Sequence, residues 1–233
     1  MNKPIKYVAE LSGVTEVTLI GSADLNYWRE RLGKFRLTPL DSNGRAEIHV
    51  IAAQARFKGM PFREISFSVT VKPTPGWHDL PNAACLLKAF NSNRFFAWCE
   101  RFFFSTPYYP AKCEISAEPV RFSVANSQSP IFSAELHGLA NREVLATGSH
   151  ESYGTVAMLP KSGDPGDALK YFVAKLSGDA EVYAFDQASD VLEISKDSGD
   201  QLLTDLLDSG FSGEKWLVRT AANHAKSKTY KAK

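Results

Sequence analysis

The sequence predicts an α+β fold: a long antiparallel β-sheet, curled into a barrel or half-barrel, with a few packed helices. Three observations carry this. Residues 62–71 alternate apolar and polar side chains without a break. About ten short β-rich runs are separated by turn residues. Only three or four stretches have helical spacing or helix caps. The 233 residues read as a single domain, 1–225, followed by a basic flexible tail, 226–233.

The elements follow in order. Residues 14–20 are rich in β-branched side chains and form the first predicted strand. Asp24 caps a short helix over 25–32, and Gly33 ends it. The turn Asp41-Ser42-Asn43-Gly44 leads into a strand over 45–55. After Gly59-Met60-Pro61 comes the clearest strand, 62–71. One face carries Arg63, Ile65, Phe67, Val69 and Val71; the other carries Phe62, Glu64, Ser66, Ser68 and Thr70. Such alternation marks one packed and one polar face, the pattern of an antiparallel sheet. Asn91 or Ser92 caps a helix over about 93–104. Phe95, Phe96, Trp98, Cys99, Phe102 and Phe103 fall in one arc of it and are expected to pack on the sheet. Thr106-Pro107 stops that helix.

Strands are expected again over 111–116, 120–124, 131–137, 142–147 and 152–159. Residues 165–175 read as a helix or turn, and 181–185 with 190–195 as a late hairpin. Residues 200–208 form an amphipathic helix through Leu202, Leu203, Leu206 and Leu207, closed by Gly210, and 216–219 a last strand. The end, 225–233, holds Lys226, Lys228, Lys231 and Lys233 with almost nothing apolar, so a frayed, solubilising tail is expected.

Composition excludes several functional classes. The 27 basic and 26 acidic residues leave a net charge of +1, against specific nucleic-acid binding. An apolar share of 44% is too high for a disordered chain. No apolar run is long enough to span a membrane, and the opening residues resemble no signal peptide, so a cytoplasmic protein is expected. Cys85, Cys99 and Cys113 are odd in number, form no Cys-x-x-Cys, and fit reduced, buried thiols. The five histidines show no ligand spacing, and phosphate-loop, dinucleotide-loop, zinc-helix and serine-elbow motifs are absent. No cofactor and no metal are expected. The expected partner is a small molecule, with no membrane; a homo-oligomer stays open.

The informative stretch is NSNRFFAWCERFFFSTPYYPAKCEIS, residues 91–116: a helix, a Pro-Tyr-Tyr-Pro turn and a strand. With FKGMPFREISFSVTV, residues 57–71, it resembles the acetoacetate decarboxylase-like superfamily. Phe62-Arg63-Glu64 looks like the decarboxylases' strand glutamate segment. Tyr109-Pro110-Ala111-Lys112 looks like their aromatic-Pro-Lys-Lys turn. The turn is closer still to a bacterial branch of the superfamily with Pro-Tyr-Tyr/Phe-x-Ala-Arg/Lys. The resemblance implies a decarboxylase-like barrel with an interior pocket. In the decarboxylases the first lysine of the pair forms a Schiff base and the second lowers its pKa. Here Ala111 stands at the first position and only Lys112 has a counterpart.

Three readings follow. The first is a protein that binds a small carboxylate-bearing or enolisable molecule without a Schiff-base lysine; Glu64 is its acid/base or orienting group and Tyr108 and Tyr109 line its pocket. The second is a lysine-dependent decarboxylase or aldolase-type lyase using Lys112. Strand alternation argues against it, because Lys112 shares a face with Glu114 and Ser116, opposite Ala111, Cys113 and Ile115. The third is a non-catalytic oligomeric interaction module. Arg94 and Arg101, seven residues apart on the helix, are candidates to hold a ligand carboxylate.

Overall fold

A computed structural model of the chain describes residues 4–126 and 129–232. Among them, ten strands make one sheet. In hydrogen-bonding order these are β1 (Tyr7–Asp24), β13 (Ser212–Ser227), β11 (Lys170–Ala184), β10 (Val144–Met158), β5 (Asn82–Asn91), β4 (Met60–Val71), β3 (Arg45–Phe57) and the short β2 (Asp41–Ser42). The short β6 (Tyr108–Pro110) lies beside β5, and β14 (Tyr230–Lys231) beside β11. β1 also pairs with β3, so the sheet curls round. Neighbours are antiparallel except β5, which runs parallel to β10 and to β6. A second, antiparallel sheet contains β12 (Val191–Ile194), β9 (Pro130–Glu135), β8 (Val120–Ala125) and β7 (Lys112–Ala117). The expected α+β, curled-sheet architecture is the one observed.

Period-two alternation decides what each face does. On β4, Ile65, Phe67, Val69 and Val71 enter the main core, while Glu64, Ser66, Ser68 and Thr70 line a cavity. On β3, Ala46, Ile48, Val50 and Ala52 are core, while Glu47, His49, Ile51 and Ala53 face the cavity. The second sheet covers the core side: Phe132 meets Phe67 edge-on at 5.0 Å between centroids, and Phe122 meets Trp216 at 6.1 Å. Two helices add to the same core, α1 (Leu25–Gly33) through Trp28 and Leu32, and α3 (Gln201–Asp208) through Leu203 and Leu206. Asp24 is the expected cap of α1, and Asp200 caps α3. Asp24 accepts the Tyr27 N–H at 2.6 Å and Asp200 the Leu202 N–H at 3.0 Å, satisfying amide groups that a helix start leaves free.

Several expectations are corrected. Residues 142–147 and 152–159 belong to one strand, β10, and the segment expected as helix or turn runs into β11. No late hairpin forms, because β12 pairs with β9 rather than with β11. The last long strand is not 216–219 but 212–227, and Tyr230–Lys231 also pair with β11. Lys226, Lys228 and Lys231 are therefore not in a free tail; Lys233 lies outside the described residues. Ala221, Ala222, Asn223 and Ala225 have little intrinsic strand preference. Ladders to β1 on one side and β11 on the other hold this stretch extended.

The aromatic helix also differs. α2 (Arg94–Cys99) gives way to a π-helical turn, Glu100–Phe104, which Ser105 ends at φ 60°. Of α2 only Ala97 is buried. Phe96 packs edge-on against Phe57 and Phe62. Phe95, Trp98, Phe102 and Phe103 stay between 51% and 67% exposed, with Trp98 stacked on Phe102 at 5.2 Å. The apolar arc is wider than the sheet surface beneath it, and the change of pitch after Cys99 breaks its register with that surface.

Asp190, just before β12, ties the two sheets. Its enclosed carboxylate pairs with Arg142 and accepts the Trp216 indole N–H from β13 at 3.0 Å and the His137 backbone N–H at 3.0 Å. Asp190→Ala strands the largely buried Arg142 guanidinium. The expected loss is about 3–5 kcal/mol of folding free energy, read from urea denaturation at neutral pH. A loss below about 1 kcal/mol refutes the tie.

Candidate functional site

The curled sheet encloses a cavity of about 740 Å³. Its apolar wall includes Leu11, Val14, Ile51, Phe62, Leu86 and Phe172. Four carboxylates bring polar chemistry to it or to its edge, and each is held differently.

Glu64 is carried inward by the alternation of β4. There it lines the cavity. β6 pairs with β5 so that Tyr108 lies beside Ala89, and this brings the Tyr108 hydroxyl to 2.6 Å from Glu64 Oε1. Asn91 Nδ2 donates to Oε2 at 3.2 Å, and Asn91 Oδ1 accepts the Asn93 N–H at 2.8 Å, which fixes the orientation of that amide. No cation hydrogen-bonds to Glu64 among the described residues. Burial pushes its carboxyl above the usual range; the Tyr108 hydrogen bond opposes this, the Glu100 charge adds to it, and Lys226 and His224 act against it. Tyr108 is the donor in its hydrogen bond to Glu64. Burial and the Glu64 charge hold the Tyr108 hydroxyl well above its ordinary value.

Glu100, on the π-helical turn, accepts from Thr106 Oγ1 at 2.6 Å and pairs with Lys226 of β13. The Lys226 ammonium lies over Phe172 at 4.7 Å, Tyr108 at 5.2 Å and Phe104 at 5.3 Å, a cation held by three ring faces. Glu16, on β1, is fully buried. It pairs with Arg219, accepts from Thr18 Oγ1 at 3.0 Å and lies 2.6 Å from His224 Nε2. Burial would raise this carboxyl, but the His224 hydrogen bond, the His224 and Arg219 charges and Thr18 together hold it low. Glu47 is held down to about 2 by its hydrogen bond with His49, against burial, with Thr70 also donating.

Of the residues singled out from the sequence, Glu64 and Tyr108 meet in the cavity wall. The others do not line it. Tyr109 is 39% exposed, its ring between Lys88 at 4.5 Å and Arg101 at 5.0 Å. Arg94 and Arg101 are exposed on the outer side of the aromatic helix. Lys112 begins β7 in the second sheet, 71% exposed and 2.8 Å from Glu114. Alternation turns it outward while Cys113 goes into the core, so it is not a cavity amine. The sequence reading missed Asn91, Glu100, His224 and Lys226. The last two sit on a strand with no apolar alternation to announce it. Burial pushes the Cys85 and Cys113 thiols up to about 12, which fits inert packing. Among the described residues no group of three or more His, Cys, Asp or Glu is placed to hold a metal ion.

No protein-family model matches the sequence, and no curated protein sequence matches it. The fold does have counterparts. A solved structure described as acetoacetate decarboxylase superposes with a TM-score of 0.60 at 11% identity, over 99% of this chain and 90% of the other. The acetoacetate decarboxylase of Legionella pneumophila subsp. pneumophila str. Philadelphia 1 gives the same score and identity, over 99% and 92%. The chain thus has the acetoacetate decarboxylase-like fold that its turn and strand motifs resemble.

The raised Glu64 pKa fixes a sign. The folded protein holds this proton more tightly than the unfolded chain. Its contribution to stability is therefore full below the ordinary value of 4.5 and is lost as pH rises toward the folded value. Glu64→Gln has no proton to lose. The stability of wild type relative to the variant is expected to fall as pH is raised above about 4.5, in paired urea titrations. A difference that stays flat with pH contradicts a neutral Glu64.

Proposed function

We propose that this protein binds a small carboxylate-bearing or enolisable molecule in the cavity and acts on it without a Schiff-base lysine at the Tyr109–Lys112 turn. The observation that carries this is Glu64: a carboxyl group lining the cavity, held by Tyr108 and Asn91, with no cation to fix it as a carboxylate. A carboxylic acid in such a place donates a hydrogen bond to a carbonyl or carboxyl oxygen of a ligand and moves a proton as the ligand's charge changes. Lys226 supplies the counter-charge for a ligand carboxylate, with Glu100 as the partner it exchanges. The decarboxylase-like fold supports a lyase-type reaction on a small oxo acid as the form this chemistry takes.

A second reading has a specific observation in its favour. Lysines do line the cavity, Lys112 not among them, and of these Lys226 is paired with a carboxylate, Glu100, and set against three aromatic rings. In its deprotonated form this amine could attack a carbonyl carbon of a ligand in the cavity.

Ligand-observed NMR with a panel of 2- and 3-oxo acids tests both readings. Binding is expected for at least one compound. Lys226→Met should weaken it by about ten- to a hundredfold, the loss of one charge-assisted hydrogen bond. Binding without any borohydride-trapped adduct supports the first reading; an adduct mapped by mass to Lys226 supports the second. If no oxo acid binds, both readings fail.

A further inference from the structure

His224 faces two spaces. It lines the large cavity and also a smaller one of about 360 Å³, bordered by Glu10, Ser12, Ser177 and Asn223, so its ring stands at the junction. It projects from β13, where the ladders to β1 at Leu11 and to β11 at Leu176 fix its place. Its Nε2 lies 2.6 Å from Glu16 Oε2. The other oxygen of Glu16 is taken by Arg219 and Thr18. Glu16 is held as a carboxylate and only accepts hydrogen bonds, so when the imidazole is neutral its one proton is on Nε2. Nδ1 is then a lone pair. It has no hydrogen-bond partner among the described residues. The tautomer is set by a buried carboxylate that is itself clamped by an arginine, the arrangement that orients a histidine base.

Across the same cavity stands a group of the opposite kind. Glu64 is an enclosed carboxyl with Tyr108 behind it. Both Glu64 and His224 line this cavity. The lining of one cavity of about 740 Å³ thus holds an oriented proton acceptor and a proton donor.

We propose that His224 is a general base and Glu64 its paired acid in a proton abstraction, and that the ligand is a small carbonyl compound with a C–H next to the carbonyl. In the step, the C–H bond breaks and its proton forms a bond to Nδ1 of His224. The electron pair becomes the new carbon–carbon double bond, and the carbonyl oxygen takes the proton of Glu64. The products are an enol, an imidazolium facing the Glu16 carboxylate, and a Glu64 carboxylate. The reverse transfers restore all three groups, and no oxidant or reductant is consumed. Glu16 is a positioning residue: it holds the ring and balances the imidazolium charge, and it touches no ligand. The proposal rests on the reading that the cavity takes an enolisable molecule, and it adds the base and the class of reaction.

The test is deuterium incorporation from D₂O, followed by ¹H NMR, for acetone, 2-oxobutanoate and 4-oxopentanoate. Binding of each is measured separately by ligand-observed NMR. At least one probe should exchange above the buffer rate. His224→Gln keeps an N–H for Glu16 but has no basic nitrogen, and should lower exchange by at least about a hundredfold. Glu16→Gln should lower the exchange rate of bound probe while leaving the probe's dissociation constant within about twofold; a merely structural role would move both. If the His224 variant fails to fold, carbethoxylation of the wild-type protein, mapped by peptide mass, must abolish exchange in step with modification of His224. Binding without exchange, or exchange indifferent to His224, overturns the proposal and leaves the binding reading standing. Absence of binding for every probe overturns both.

Discussion

Every strand of a curled sheet has two faces, and here the two meet different fates. One face is sealed by a second sheet and two helices around Phe67, Phe122, Phe132 and Trp216. The other closes on itself. It is lined at many positions by small side chains (Ala53, Ala55, Ser66, Ser68, Ala84, Ala174), so the interior cannot fill with protein. Larger residues there would pack it shut, as they do in small barrels. The cavity is therefore written into the residues as the small half of each alternating pair.

That enclosure imposes an electrostatic constraint. A carboxylate placed inside loses hydration and must find a cation or donors. Glu16 has Arg219 and His224, Glu47 has His49, and Glu100 has Lys226. Glu64 has only a phenol and an amide, both neutral. Three of the carboxylates are thus paired with basic side chains, and the fourth is held by neutral donors alone.

The sequence made part of this legible. The break-free alternation of 62–71 announces the polar face that carries Glu64, and Asp24 announces a helix start. The turn at Pro107–Lys112 points to the right fold and brings Tyr108 to the right place. Its Lys112 points away from the cavity, as strand alternation argued, and β7 belongs to the second sheet. The aromatic arc misleads for another reason. Helical periodicity says which residues share a side; it does not say how much surface lies beneath to cover them.

His224 and Lys226 were illegible because nothing local creates their strand. Alanine, asparagine and lysine are poor strand formers, and this stretch is extended only because β1 and β11 hold it from both sides. The register of those ladders puts His224 opposite Leu11 and Lys226 opposite Ala9, more than two hundred residues back along the chain. It follows that the cavity's two basic side chains on this strand exist as cavity groups only in the completed fold. Until β13 docks, Glu16 and Glu100 lack the partners that make their burial tolerable. The last long strand thus pairs with both β1 and β11, gives the buried Glu16 and the half-buried Glu100 their basic partners, and brings His224 and Lys226 to the cavity.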